Sequence, residues 1–100
     1  MHFHSAAADP SLFSPAPLSL DRLPRQQPAT IVSLQPSAGQ EGADVALRLS
    51  EIGFVPGETV RVVAHGFPGR EPLAVRVGQS TFALRLHEAA MVTVVPGGSA

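Results

Sequence analysis

The spacing of apolar residues changes from that of a strand to that of a helix and back along this chain. Residues 29–34 carry β-branched Thr30, Ile31 and Val32 and have the character of a strand. Residues 35–42 place Pro36, Gly39 and Gly42 among polar side chains and read as a loop. Val45, Leu49 and Ile52 then recur at i, i+4 and i+7, which is one face of a helix over residues 43–52. Asp44 and Arg48 form an i,i+4 pair on its wet side. Gly53 stands where a left-handed residue closes a helix, so that Phe54 can fold back onto the last turn.

From there the pattern is that of strands and tight turns. Pro56 and Gly57 occupy the central positions of a type II turn between Val55 and Glu58. Together with Gly53 they are the residues expected to shape the fold. Residues 59–64 alternate, with Val60 and Val62 on one face and Arg61 on the other. Residues 65–72 are a Gly/Pro-rich loop that contains His65. Two further strands, 73–77 and 80–85, flank Gly78–Gln79, a pair suited to a two-residue II′ turn. That turn sets Val75 opposite Phe82, Leu73 opposite Leu84 and Arg76 opposite Thr81, with all large apolar residues on one face. A turn one residue longer would set Arg76 against Phe82 and scramble the faces. Residues 87–90 look like one helical turn, and residues 91–95 like a last strand.

The first 17 residues are rich in Ala, Ser and Pro and read as a flexible tail. A short turn follows, in which Leu20 and Leu23 are spaced to dock together and Pro24 ends the segment. The expected organisation is therefore tail 1–17, domain 18–95 and tail 96–100. The fold class is mainly β, with about five short antiparallel strands and one or two short helices. A small SH3-like barrel, partly closed, disposes of the strand edges best. An open α+β sandwich is the other arrangement such a pattern allows.

Composition narrows the chemistry. There is no cysteine, which removes disulfides, thiolate zinc sites and cysteine nucleophiles. The net charge of −1 gives no global attraction to nucleic acid. All seven cationic side chains are arginine, and without lysine no phosphate loop of the Gly-rich, Lys-Ser/Thr kind can form. Neither Tyr nor Trp is present, so the groove that binds proline peptides in signalling SH3 domains cannot be built. No secretion signal and no apolar run of the ~20 residues needed to span a bilayer is seen, so work at a membrane would require docking on a partner.

The ordered set Leu49, Glu51, Ile52, Gly53, the pair Phe54–Val55, Pro56–Gly57 and the Val-rich strand 59–63 resembles the FeoA (ferrous iron transport protein A) family. Residues 72–77, then Phe82 to Arg85 with Glu88 and Ala89, resemble its second half, and Leu20 to Pro24 its opening. The similarity covers roughly residues 18–95. The chain departs from the family at Arg25–Gln27, where Pro-Gly is common, and at Leu86, where a second arginine often follows Arg85. The resemblance implies an SH3-like barrel in the cytoplasm, peripheral to the inner membrane. It would be a non-catalytic accessory that binds and regulates a membrane ferrous-iron transporter bearing a GTPase domain. The same module also ends certain iron-dependent repressors, but no helix-turn-helix precedes it here.

Two residue sets could make contacts. Arg61, Arg76 and Arg85 fall on outward strand positions, either as a basic face for an acidic partner or as a solvated face balanced by Glu58 and Glu71. The four histidines are the intermediate-softness metal ligands. His2 and His4 share a segment, while His87 adjoins Glu88 with His65 in a loop nearby. They could hold an iron or zinc ion in a sensor or regulatory module, or be tail and surface residues. No three-ligand spacing is seen. No cofactor is required and no nucleic-acid partner or membrane insertion is expected. An unprotected strand edge would also admit a homodimer.

Overall fold

The stretches of period two become strands, and the segment of helical period becomes a helix. A computed structural model of the chain describes residues 16–97. In chain order it holds β1 (Leu18–Ser19), a 3₁₀ turn (Leu20–Arg22), β2 (Ala29–Leu34), α1 (Gly39–Glu51), β3 (Thr59–Gly66), β4 (Arg70–Val77), β5 (Ser80–Leu84), α2 (Leu86–Ala89) and β6 (Val92–Pro96). The strands form one sheet in the order β1-β6-β2-β3-β4-β5, antiparallel at every pairing. The mainly β expectation holds. The strand count is six because the Leu-rich segment begins with a short strand beside β6. Among the described residues the sheet is not closed: β1 and β5 remain its two edges.

Bulges supply the curvature. Pairing shifts at Val32 on β2, between Ile31 and Ser33, at Val63 on β3, between Val62 and Ala64, and on β4, where Glu71 and Pro72 are left over between the partners of His65 and Gly66. An extra residue on one strand bends it and resets which face the following side chains occupy. The concave side is filled by Leu20, Leu23, Ile31, Leu49, Phe54, Val60, Val62, Leu73, Val75, Val92 and Val94, all essentially inaccessible to solvent. At ~25 cal/mol per Å² of apolar area removed from water, these side chains are the main favourable term in folding.

The helix departs from expectation at its start. It begins at Gly39, not at residue 43, and its most buried positions are Gly42, Ala46 and Leu49, with Val45 and Ile52 only half-buried. Small residues therefore face inward. A Cβ at Gly42 would lie 2.0 Å from the Ser37 carbonyl oxygen, so its lack of a side chain serves close approach and not a loop. The C-terminus follows the pattern closely. The Phe54 N–H donates to the Leu49 carbonyl at 2.9 Å and the Gly53 N–H to Ser50 at 3.2 Å, with Gly53 at φ +120°. These are the two bonds of a Schellman closure, and Phe54 and Leu49 are both fully buried beneath it.

The turns also form as read. The Glu58 N–H donates to the Val55 carbonyl at 3.1 Å across Pro56–Gly57, and Gly57 takes φ +95°. Across Gly78–Gln79, Val75 pairs with Phe82, Leu73 with Leu84 and Arg76 with Thr81. The segment 65–72 is not one long loop. β3 and β4 extend into it, leaving only residues 67–69 as the connection.

Candidate functional site

Outward-facing charge is gathered in two places on the sheet. The first is the middle of the β3–β4 ladder, where Arg61 is paired directly with Arg76. Strand alternation puts Thr59 on the same face as Arg61, and Thr81 stands opposite Arg76 on β5. Arg61 is half-buried and Arg76 exposed. They border a cleft of about 260 Å³ bounded by the Pro56–Gly57 turn and Gly78, with Glu58 also on its lining.

The second is the N-terminus of α2. Arg85 does not lie on a strand as expected; β5 ends at Leu84, and Arg85 occupies the N-cap position. Its backbone N–H donates to Glu88 Oε1 at 2.9 Å, the return half of a capping box. Glu88 Oε2 accepts from Arg48 Nη2, an ion pair joining α1 to α2. The Leu86 N–H donates to Glu71 Oε2 at 2.7 Å, and Glu71 Oε1 lies 3.8 Å from Arg85 Nη1. Partial burial pushes the Glu88 carboxyl upward, but the Arg85 N–H and the Arg48 guanidinium outweigh it. The group therefore titrates below its ordinary value of 4.5. Because Arg48 is drawn to Glu88, it is not paired with Asp44, whose Oδ1 instead accepts from Gln40 Nε2 at 2.8 Å.

The expected metal ligands are dispersed. His65 stands on β3 and not in a loop. The bulge after Val62 brings it opposite the buried Leu73, on the inward side, and its Nε2 is buried with no hydrogen-bond partner among the described residues. His87 is exposed on α2. Both carboxylate oxygens of Glu88 are engaged by Arg85 and Arg48. His2 and His4 lie outside the described residues. Among the described residues no group of three His, Cys, Asp or Glu is placed to hold a metal ion.

One exposed group escaped the sequence reading. Phe67 caps the β3–β4 hairpin at 95% exposure, beside Pro68 and Gly69. A bulky apolar residue inside a Gly/Pro turn was the available signal, since such a segment is too short to fold its side chain back onto the core. Arg70, at the far end of the same connection, donates through Nη2 to the Asp21 carbonyl at 2.8 Å and ties the hairpin to the 3₁₀ turn.

Comparison with known proteins places this arrangement. The FeoA domain family model matches residues 18–96. The structure of Stenotrophomonas maltophilia FeoA, complexed with zinc, is 45% identical, covers 77% of this chain and 88% of that one, and superposes with a TM-score of 0.69. That protein is described as a prokaryotic SH3 domain protein and a candidate ferrous iron transport activating factor. Iron(II) transport protein A from Clostridium thermocellum is 30% identical over 79% of this chain and 45% of that one, with a TM-score of 0.65. IdeR of T. acidophilum, at 15% identity, a TM-score of 0.61 and coverage of 82% of this chain but 35% of that one, shares the fold alone. No curated protein matches the chain. The SH3-like class expected from the strand pattern is shown by these neighbours.

Proposed function

Because the chain belongs to the FeoA family, we propose that it is a non-catalytic accessory protein of bacterial ferrous-iron uptake. In this role it binds and regulates the cytoplasmic part of a GTP-dependent membrane iron transporter. The observation that carries the reading is the family match over residues 18–96, joined to 45% identity with a relative described in terms of ferrous iron transport. Its outward groups suit docking: Phe67 offers an apolar anchor at a hairpin tip, Arg61 and Arg76 offer cations on the outer face of the β3–β4 ladder, and Arg85 offers a third at the start of α2. Aromatic and Arg side chains are the residue types that dominate contact energies at protein interfaces. No helix among the described residues is long and apolar enough to cross a membrane. The docking domain is the segment expected at residues 18–95, extended by one residue because β6 runs to Pro96.

The test is capture of the transporter's cytoplasmic GTPase region by the purified chain, with and without ferrous iron. Capture independent of iron, weakened by Phe67→Ser and by reversing the charge of Arg76 and Arg85, is the expected result. Absence of capture under both conditions would remove the docking role. A second reading, a metal-responsive module, is favoured by the zinc held by the S. maltophilia relative. Capture that required iron, or a homodimer formed only with metal, would move the function to the histidines.

A further inference from the structure

The pairing of Arg61 with Arg76 is costly as it stands. Guanidinium groups stay charged at any physiological pH. Like charges directly opposite on neighbouring strands destabilise a sheet. The two ion pairs among the described residues use Arg48 and Arg85, so neither Arg61 nor Arg76 forms one there. Glu58 lines the same cleft yet forms no ion pair with either of them. The surroundings favour a small ligand that accepts hydrogen bonds. Thr59 and Thr81 add hydroxyls to the same face. Gly57 and Gly78 leave the two ends open: a Cβ built on either would meet nothing within 4 Å.

We propose that Arg61 and Arg76 form a clamp for a phosphate-class oxyanion, carried free or on a small molecule. Two forked cations match the charge of a phosphate dianion and can each donate two parallel N–H bonds to it. A carboxylate carries only one charge and leaves the repulsion half-compensated. The cleft, at about 260 Å³ and open to solvent, has room for a phosphate group, free or at the end of a small molecule. The proposal stands whether or not the chain docks on a transporter.

The full chain is titrated with inorganic phosphate at constant ionic strength, following both Tm and backbone amide chemical shifts. The expected result is a saturable rise in Tm with shifts centred on residues 57–61 and 76–81. Arg76→Gln weakens the affinity by about tenfold or more, as loss of a bidentate charged donor does. Glu58→Gln strengthens it, because a rim carboxylate opposes the anion. Arg22→Gln, on the 3₁₀ turn, leaves it unchanged. A nucleoside monophosphate run in parallel separates the sources: tighter binding than phosphate names a phosphorylated small molecule, and equal binding names the free ion. Both rankings support the clamp. A response that does not saturate, that acetate reproduces equally, or that survives Arg76→Gln overturns it.

Discussion

The two ends of β4 each carry a charged side chain and treat it in opposite ways. Near its start, Glu71 lies beside Arg85, and Glu88 receives both the Arg48 guanidinium and a backbone N–H. Each of these four side chains has a partner of opposite sign, and two of the contacts satisfy N–H groups at the opening of α2 that no helix can satisfy internally. Near its end, Arg76 faces Arg61 across the ladder, and neither forms an ion pair among the described residues. Exposed ion pairs contribute little in themselves, typically ~0–1 kcal/mol. The difference lies in what each set is coupled to. The first cluster holds a helix in place. The second holds nothing in place, and costs stability unless something binds it.

The largest way to break the first cluster goes through its backbone. A Cβ at Gly66 would sit 2.0 Å from the Glu71 carbonyl oxygen, a contact no flexible side chain can relieve. Gly66→Ala therefore forces β3 and β4 apart just where Glu71 reaches α2. We expect a loss of about 2–3 kcal/mol, as for other overpacked sites, measured by urea unfolding, with the β3–β4 tip and the α2 amides losing exchange protection together. Unchanged stability would mean that the strands separate freely and that Glu71 is not fixed by them.

Removing Glu88 is the next step down. Glu88→Ala deletes the Arg48 contact and the return bond to the Arg85 N–H, and should cost about 1–2 kcal/mol. The charge part of that effect depends on pH in a definite direction. The folded-state carboxyl titrates below its ordinary value of 4.5, so the ionised form is the one that native contacts favour. Its contribution is complete above 4.5 and is lost as pH falls through the depressed folded value. Glu88→Gln cannot titrate. The Tm difference between wild type and Glu88→Gln should be widest near neutrality and close in the acid range. A constant gap would show that the hydrogen bonds matter and the charge does not.

How much of this was legible in the sequence follows from how local each determinant is. The Gly53 closure, the Pro56–Gly57 turn and the register across Gly78–Gln79 are each set within a few residues, and all three formed as the spacing predicted. The helix start was hidden because Gly42 answers to the approach of Ser37 and not to a turn. His65 was hidden by a bulge, which hydrophobic alternation cannot announce when the extra residue, Val63, is itself apolar. The Glu88 site was hidden by distance: Arg48 lies 40 residues earlier in the chain, and Asp44 offered a nearer partner at helical spacing. Arg61 and Arg76 were visible as outward positions, but their direct opposition needed the β3–β4 pairing.

The smallest expected effect bears on the second cluster and has the opposite sign from the others. If the Arg61–Arg76 opposition is an uncompensated repulsion, relieving it in anion-free buffer should stabilise the fold. Arg76→Gln keeps most of the side chain's length and removes one charge. The gain should be a few tenths of a kcal/mol, within the range of cross-strand pairs, and should shrink as salt is raised, because exposed charges are screened over ~8–10 Å at ordinary ionic strength. Phosphate should reverse the ranking, stabilising the wild-type chain and leaving Arg76→Gln behind. A variant less stable than wild type in every buffer would mean that the Arg76 stem packs usefully on the sheet. The repulsion would then be too weak to mark a binding site.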